Sequence, residues 1–249
     1  GKIINNTINE NKKPIIVCSA IDDTTSKLIN IYLNRDFNEM LNLCEKHNKI
    51  LKNLECENDL KKLYKIYSNL YSKITKKYDN ELEKKDTIIS FGEKLSTEII
   101  SSYLNSVGIK TKCYNSYDLG FITDSNFGDA KILESSYGLI SNKINNLPDN
   151  HIPIITGFIG KNINNQVTTL GIGGSDLTAT TIGKCINVNE VQVWKDVDGI
   201  YTSDPRIVKD AKIIENINYE EASEMALHGA KILHPISLLP CKTDNIPVL

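Results

Sequence analysis

Val167-Thr168-Thr169-Leu170-Gly171-Ile172-Gly173-Gly174-Ser175-Asp176, running directly into Leu177-Thr178-Ala179-Thr180-Thr181-Ile182, decides the reading of this chain. A short apolar segment enters a glycine loop, and the loop opens a helix whose expected cap is Ser175. Glycines let backbone N–H groups approach an anion closely, and a helix N-terminus adds partial positive charge. Asp176 sets a carboxylate in the first turn, suited to the helix dipole or to chemistry. Many glycine loops are plain turns, so the block that follows carries equal weight: Trp194-Lys195-Asp196-Val197-Asp198-Gly199-Ile200-Tyr201-Thr202-Ser203-Asp204-Pro205-Arg206. Two dense motifs in this order point to phosphate handling. Alone, the second block has a lesser alternative, a long surface loop with turns at Asp198-Gly199 and Asp204-Pro205. As a nucleotide loop, Tyr201 supplies an aromatic face, Lys195 and Arg206 neutralise phosphates, and Asp196 meets sugar or base.

Outward from these motifs the pattern alternates. Ile15-Ile16-Val17-Cys18 is a buried-strand run, and Asp22-Asp23-Thr24-Thr25 offers caps for the helix patterned by Leu28, Ile29 and Leu33. Residues Phe37 to Leu82, rich in lysine and asparagine, carry helical spacing at Leu60, Leu63, Tyr64, Tyr67, Leu70, Tyr71 and Ile74 and read as two outer helices. A further helical system runs from Ile88 through Leu104 to a C-cap at Gly108. Strands are expected at Ile109–Tyr114, Ile152–Ile159 and Glu190–Trp194, and helices at Ile132–Ile144, Tyr219–Leu227 and Pro235–Thr243. Asn162–Asn165 reads as a hairpin tip. The expected fold is α/β, a mostly parallel central sheet sandwiched by helices, in one domain over 1–249. The loops 171–176 and 195–206 should then meet at the carboxyl edge of that sheet, where such folds bind ligands.

The bulk properties narrow the class. With 249 residues, 40% hydrophobic and 24% charged, the chain sits in the ordinary globular range. A net charge of −2 argues against nucleic-acid or membrane-surface binding, and no apolar run is long enough to span a bilayer. Cys18, Cys44, Cys56, Cys113, Cys185 and Cys241 are scattered without a Cys-x-x-Cys pair, which fits reduced thiols better than disulfides or zinc. The expected location is the cytoplasm, or a plastid for a chain stripped of a transit peptide. In Ser90-Phe91-Gly92-Glu93, Gly92 opposes helix stability and so marks close backbone packing or a ligand. Taken singly, Glu93 reads as a solvated helix carboxylate and Lys231 as a surface lysine, while His234 before Pro235 could cap a helix or touch a ligand.

Together, Val17–Ala20 with Thr24-Thr25, Ser90–Glu93, Gly157–Gly160, Thr168–Thr181, Val193–Arg206 and Ala230–Pro235 resemble the aspartate kinases (aspartokinases) of the amino-acid kinase superfamily, in their monofunctional plant- and bacterium-like type. The resemblance covers nearly the whole chain in order. It implies transfer of the γ-phosphoryl group of ATP, with Mg2+, to the side-chain carboxylate of L-aspartate. That is the first step toward lysine, threonine and methionine, carried out by a homo-oligomer at full length. On that resemblance Asp176 is catalytic, Thr25, Glu93 and Ser175 hold the substrate, and Ser19, Gly173, Gly174, Lys195, Asp196, Tyr201, Arg206 and Lys231 hold the nucleotide. The family pattern differs in three places. Its first strand with Lys-Phe-Gly-Gly and its C-terminal ACT domains are expected to be missing from this chain, and Ile172 stands where the family's glycine loop has an arginine. The same residues leave open an enzyme of this fold with a changed acceptor, and a non-catalytic nucleotide-binding relative.

Overall fold

The computed structural model describes residues 2–10, 12–197, 199–203, 207–227 and 233–249. Strands are β1 (Ile16–Cys18), β2 (Thr111–Tyr114), β3 (Ile122–Thr123), β4 (Ile152–Thr156), β5 (Ile159–Asn162) and β6 (Val167–Thr169). Helices are α1 (Lys2–Asn9), α2 (Thr24–Asn34), α3 (Phe37–Asn53), α4 (Leu60–Thr75) and α5 (Glu81–Ile89). They continue as α6 (Phe91–Ser106), α7 (Ser135–Asn145), α8 (Gly174–Ile186), α9 (Tyr219–Leu227) and α10 (Pro235–Thr243).

A parallel sheet in the order β1-β4-β2 forms the centre, with Val17 beside Ile155 and Cys113 beside Ile154. Strand side chains alternate between faces, and the cores follow that alternation. Ile16, Cys18, Ile152 and Ile154 pack with Ile100, Tyr103 and Leu104 of α6. Ile15, Val17 and Ile155 pack on the other face with Ile140 and Ile144 of α7 and Ile182 of α8. Behind α6 a helical layer of α2–α5 buries Leu28, Leu43, Leu63 and Leu70 completely. Two helices do occupy residues 37–82, with Tyr64 and Tyr71 turned outward while Tyr67 and Ile74 are buried. Asp36 caps α3 by accepting from the Asn38 and Glu39 N–H groups at 2.9 and 3.0 Å. The N–H of Ile109, just past Gly108 (φ +85°), returns to the Leu104 carbonyl at 2.9 Å, which closes α6 as expected.

Two strand expectations change. The run Ile152–Ile159 is broken: Gly157 and Phe158 (φ 67°) separate β4 from β5, which enters a second sheet, β3-β5-β6, with one antiparallel pair. The break is held by the Phe158 N–H donating to Thr178 Oγ1 at 3.1 Å. The segment from Glu190 to Trp194 joins neither sheet; Val191 and Val193 pair instead with the residues near Leu249, the Val193 N–H donating to the Leu249 carbonyl at 2.7 Å. The hairpin tip at Asn162–Asn165 is present, with Asn162 Oδ1 accepting from the Asn164 and Gln166 N–H groups. Among the described residues no helix is long and apolar enough to cross a membrane.

Candidate active site

At the carboxyl ends of β1 and β4 lies a cavity of about 470 Å³. β1 delivers Ser19 and Ala20, the first turn of α2 delivers Thr25, and the first turn of α6 delivers Glu93. The β4–β5 break adds Phe158, and the glycine loop with the start of α8 forms the facing wall. Trp194, Lys195 and His234 close the mouth.

Gly173, not Ser175, occupies the cap position of α8, in the left-handed region at φ +75°. A side chain there is strained, and a Cβ would stand 2.7 Å from the Cβ of His234, so glycine is required on both counts. Ser175 lies inside the first turn, against Gly157, where an added Cβ would come within 2.6 Å of it. No side chain caps α8; the Gly174 N–H donates to the Gly171 carbonyl at 3.1 Å, and among the described residues the Ser175 and Asp176 N–H groups have no acceptor, which makes this stretch of the cavity lining an anion cradle.

Charge is arranged across the cavity. Lys195 Nζ stands 3.1 Å from Asp176 Oδ2, bringing the two sequence motifs into direct contact. Glu93 is buried; its Oε1 accepts from the Ala20 N–H at 3.2 Å, while Oε2 has no partner among the described residues. Burial pushes the Glu93 carboxyl up to about 8. Gly92 permits this close approach of α6 to β1, since a Cβ would meet Ala20 Cβ at 2.8 Å.

Two buried polar contacts steady the walls. Asp86 Oδ2 accepts from the N–H groups of Gly128 at 2.9 Å and Thr169 at 2.8 Å, tying α5 to the strand that launches the glycine loop. Burial outweighs those donors and lifts Asp86 to about 6. His47 bridges Thr24 Oγ1 (3.2 Å) and the Tyr67 hydroxyl (2.7 Å), fixing the turn that carries Thr25. Burial pulls His47 down to about 4.

Of the residues expected from sequence, Ser19, Thr25, Glu93, Gly173, Gly174, Ser175, Asp176 and Lys195 line one cavity. Asp196 and Tyr201 lie beyond its lining, and Tyr201 bridges to Ile213. Arg206 and Lys231 fall outside the described residues. Among the described residues no group of three or more His, Cys, Asp or Glu could hold a metal by itself. Sequence reading did not single out Ala20 or Phe158, and assigned no site role to Trp194. Phe158 had a signal, its place between Gly157 and Gly160; Ala20 contributes a backbone N–H, which no residue type announces.

Residues 2–249 match the sequence model of the Amino acid kinase family. The chain belongs to the amino acid kinase family. Aspartokinase 1, chloroplastic, of Arabidopsis thaliana is 38% identical to it over 250 residues, 95% of this chain and 44% of that protein. Lysine-sensitive aspartokinase 3 of Escherichia coli K12 is 37% identical over 165 residues, 66% of this chain and 36% of that protein. The crystal structure of E. coli aspartokinase III with aspartate and ADP in the R-state superposes with a TM-score of 0.88 at 29% identity, covering 98% of this chain and 56% of that one. The chain spans about half the length of its plant relatives. In this amino acid kinase the parallel sheet, the uncapped helix and the buried carboxylate converge on a single cavity.

Proposed function

We propose that this chain is the catalytic domain of an aspartokinase. One carboxylate oxygen of L-aspartate attacks the γ-phosphorus of ATP, the bond to the β–γ bridging oxygen breaks, and ADP leaves with that electron pair. The products are 4-phospho-L-aspartate and ADP, and no proton has to move because the attacking carboxylate is already ionised. The observation that carries the reading is the pairing of opposite demands in one cavity. Among the described residues Glu93 Oε2 is a buried acceptor without a donor, and the Ser175 and Asp176 N–H groups at the start of α8 are donors without an acceptor. An amino acid's ammonium satisfies the first, and a phosphate satisfies the second.

Thr25 and Ser175 orient the amino acid, while Ser19, Gly173 and Gly174 flank the phosphate path. Lys195 shares its charge between Asp176 and the phosphoryl oxygens, and Asp176 keeps that lysine in place. Asp196, Tyr201, Arg206 and Lys231 belong to the nucleotide side. Mg2+ would reach the site on the nucleotide, meeting Asp176 and neutralising phosphate charge; a single carboxylate with substrate phosphates is its ordinary setting. Such catalysis rests on positioning and charge neutralisation. The E. coli enzyme crystallised with aspartate and ADP supports the substrate pair. A homo-oligomer, and a cytoplasmic or plastid address beside the chloroplastic relatives, belong to the same proposal.

A second reading, a changed acceptor, is favoured by one observation: among the described residues no arginine lines the cavity, and Ile172 stands 86% exposed at its mouth. The test is an ATP- and Mg2+-dependent ADP-release assay of the full gene product, run separately with aspartate, acetylglutamate, glutamate and UMP as acceptors. Turnover on aspartate alone is expected. Turnover on another acceptor establishes the second reading, and nucleotide binding without turnover on any acceptor overturns both.

A further inference from the structure

At the opposite end of α2 from Thr25, roughly 15 Å away at the helical rise per residue, a second groove of about 500 Å³ opens in the helical layer. It shares no residue with the first cavity. Its walls are the end of α2 (Arg35), the end of α4 with the following link (Lys76, Lys77) and α5 (Lys84). Two carboxylates, Asp79 and Glu81, face these four cations, and Glu81 is engaged by the Tyr32 hydroxyl. The wall is therefore net positive.

Lys84 makes the groove unlike a solvated lysine surface. The residue is only 5% exposed, yet among the described residues its ammonium has neither an ion pair nor a hydrogen bond. Lys46 pairs with Asp22 and Asp23, Lys62 with Asp59 and Glu98, and the Lys94 ammonium donates to Ser90 Oγ. Among the described residues Arg35 and Lys77 are likewise unpaired, and Lys76 has only the ring of Tyr78, 5.2 Å from its centroid. The buried stem of Lys84 holds its ammonium at the groove, where four cations outnumber two carboxylates and repel each other. A multivalent anion seated among them removes that repulsion. Lysine point charges with one guanidinium fork suit phosphate oxygens, and Tyr78 and Phe37 add aromatic rings to the lining. We infer that this groove is a second anion site, which binds a phosphate-bearing small molecule independently of the active-site cavity.

Trp194, the single tryptophan of these 249 residues, lies in the first cavity and so reports that site. Calorimetric titration of this 249-residue chain with pyrophosphate, followed in parallel by tryptophan fluorescence, is expected to show a binding event that Trp194 does not see. Lys84→Gln should weaken that silent event about tenfold, the loss of one charged hydrogen bond, and leave the fluorescence titration unchanged. Lys76→Gln with Lys77→Gln, on exposed positions, should do the same and decides the matter if Lys84→Gln does not fold. Phenyl phosphate replacing pyrophosphate separates the sources: tighter binding per charge points to an aromatic ester against Tyr78, weaker binding to a free polyphosphate. A single event reported by Trp194, or a silent event untouched in both variants, overturns the inference.

Discussion

The helical layer and the cavity wall meet along α6 and are stabilised by opposite means. In the layer Leu28, Leu43, Leu63 and Leu70 are fully buried among apolar neighbours, each worth about 1.5–3 kcal/mol of burial. At the start of α6, Glu93 is as deeply buried but keeps one oxygen without a donor, a deficit of about 1–3 kcal/mol. The layer's energy depends on shape and area and is indifferent to ligand. The wall holds its deficit until a cation arrives, so stability and binding are coupled there and separate in the layer.

Asp176→Asn is the hardest test of that separation. Among the described residues the partly buried carboxylate pairs with Lys195 alone. Removing its charge should lower turnover by about 10²–10³-fold while the melting temperature stays nearly constant, as read by steady-state kinetics and thermal unfolding. A mutant within a few-fold of the parent removes Asp176 from the catalytic role. Leu63→Ala should behave inversely, losing about 2–5 kcal/mol in denaturant unfolding with the aspartate KM unchanged where the protein remains folded. A raised KM in that variant would break the comparison.

Glu93→Gln sharpens it through pH. The folded carboxyl titrates near 8 rather than 4.5, so between those values the native state holds a proton that the unfolded chain has lost. Its contribution to stability is complete below pH 4.5 and declines as pH rises toward 8. The glutamine variant should lose that slope, retaining only the smaller one from Asp86 between 3.8 and about 6. In the parent, aspartate affinity should increase as pH climbs toward 8, because the ammonium needs the ionised carboxylate; the variant should bind aspartate weakly at every pH. An unchanged unfolding profile would show that Glu93 is hydrated and not a reserved acceptor. The smallest effect is expected from Ile172→Arg. A bidentate contact to the substrate carboxylate should lower the aspartate KM about tenfold. No change, or a worse constant, favours the changed acceptor.

Much of this architecture was legible residue by residue. The helices Tyr219–Leu227 and Pro235–Thr243 occur where periodicity and Pro235 set them, and β1 occupies three of the four residues of its β-branched run. Ser175 misled because serine is a good cap, yet Gly173 reaches the cap position only through a left-handed turn that a serine cannot share. Ile152–Ile159 misled because its apolar pattern is continuous while its backbone is not: Thr178, on α8, takes the Phe158 N–H and bends the chain. His47 carries no local signal because neither Thr24 nor Tyr67 is near it in sequence.

Periodicity, capping residues and glycine loops act over a few residues, so the chain alone specified its helices, its buried strands and the two motifs that mark the site. It also specified the groups available there: the Asp176 carboxylate, the Lys195 ammonium and a glycine cradle. Whether Glu93 would be solvated or buried depended on Ala20, 73 residues away, and the seat of the glycine loop on Asp86 reaching Thr169 across 83 residues. Both are backbone N–H contacts, which carry no residue signature. Packing between distant segments determined which carboxylates lost their water and so titrate above their ordinary range, which is why the cavity's electrostatics emerged only once the chain had folded.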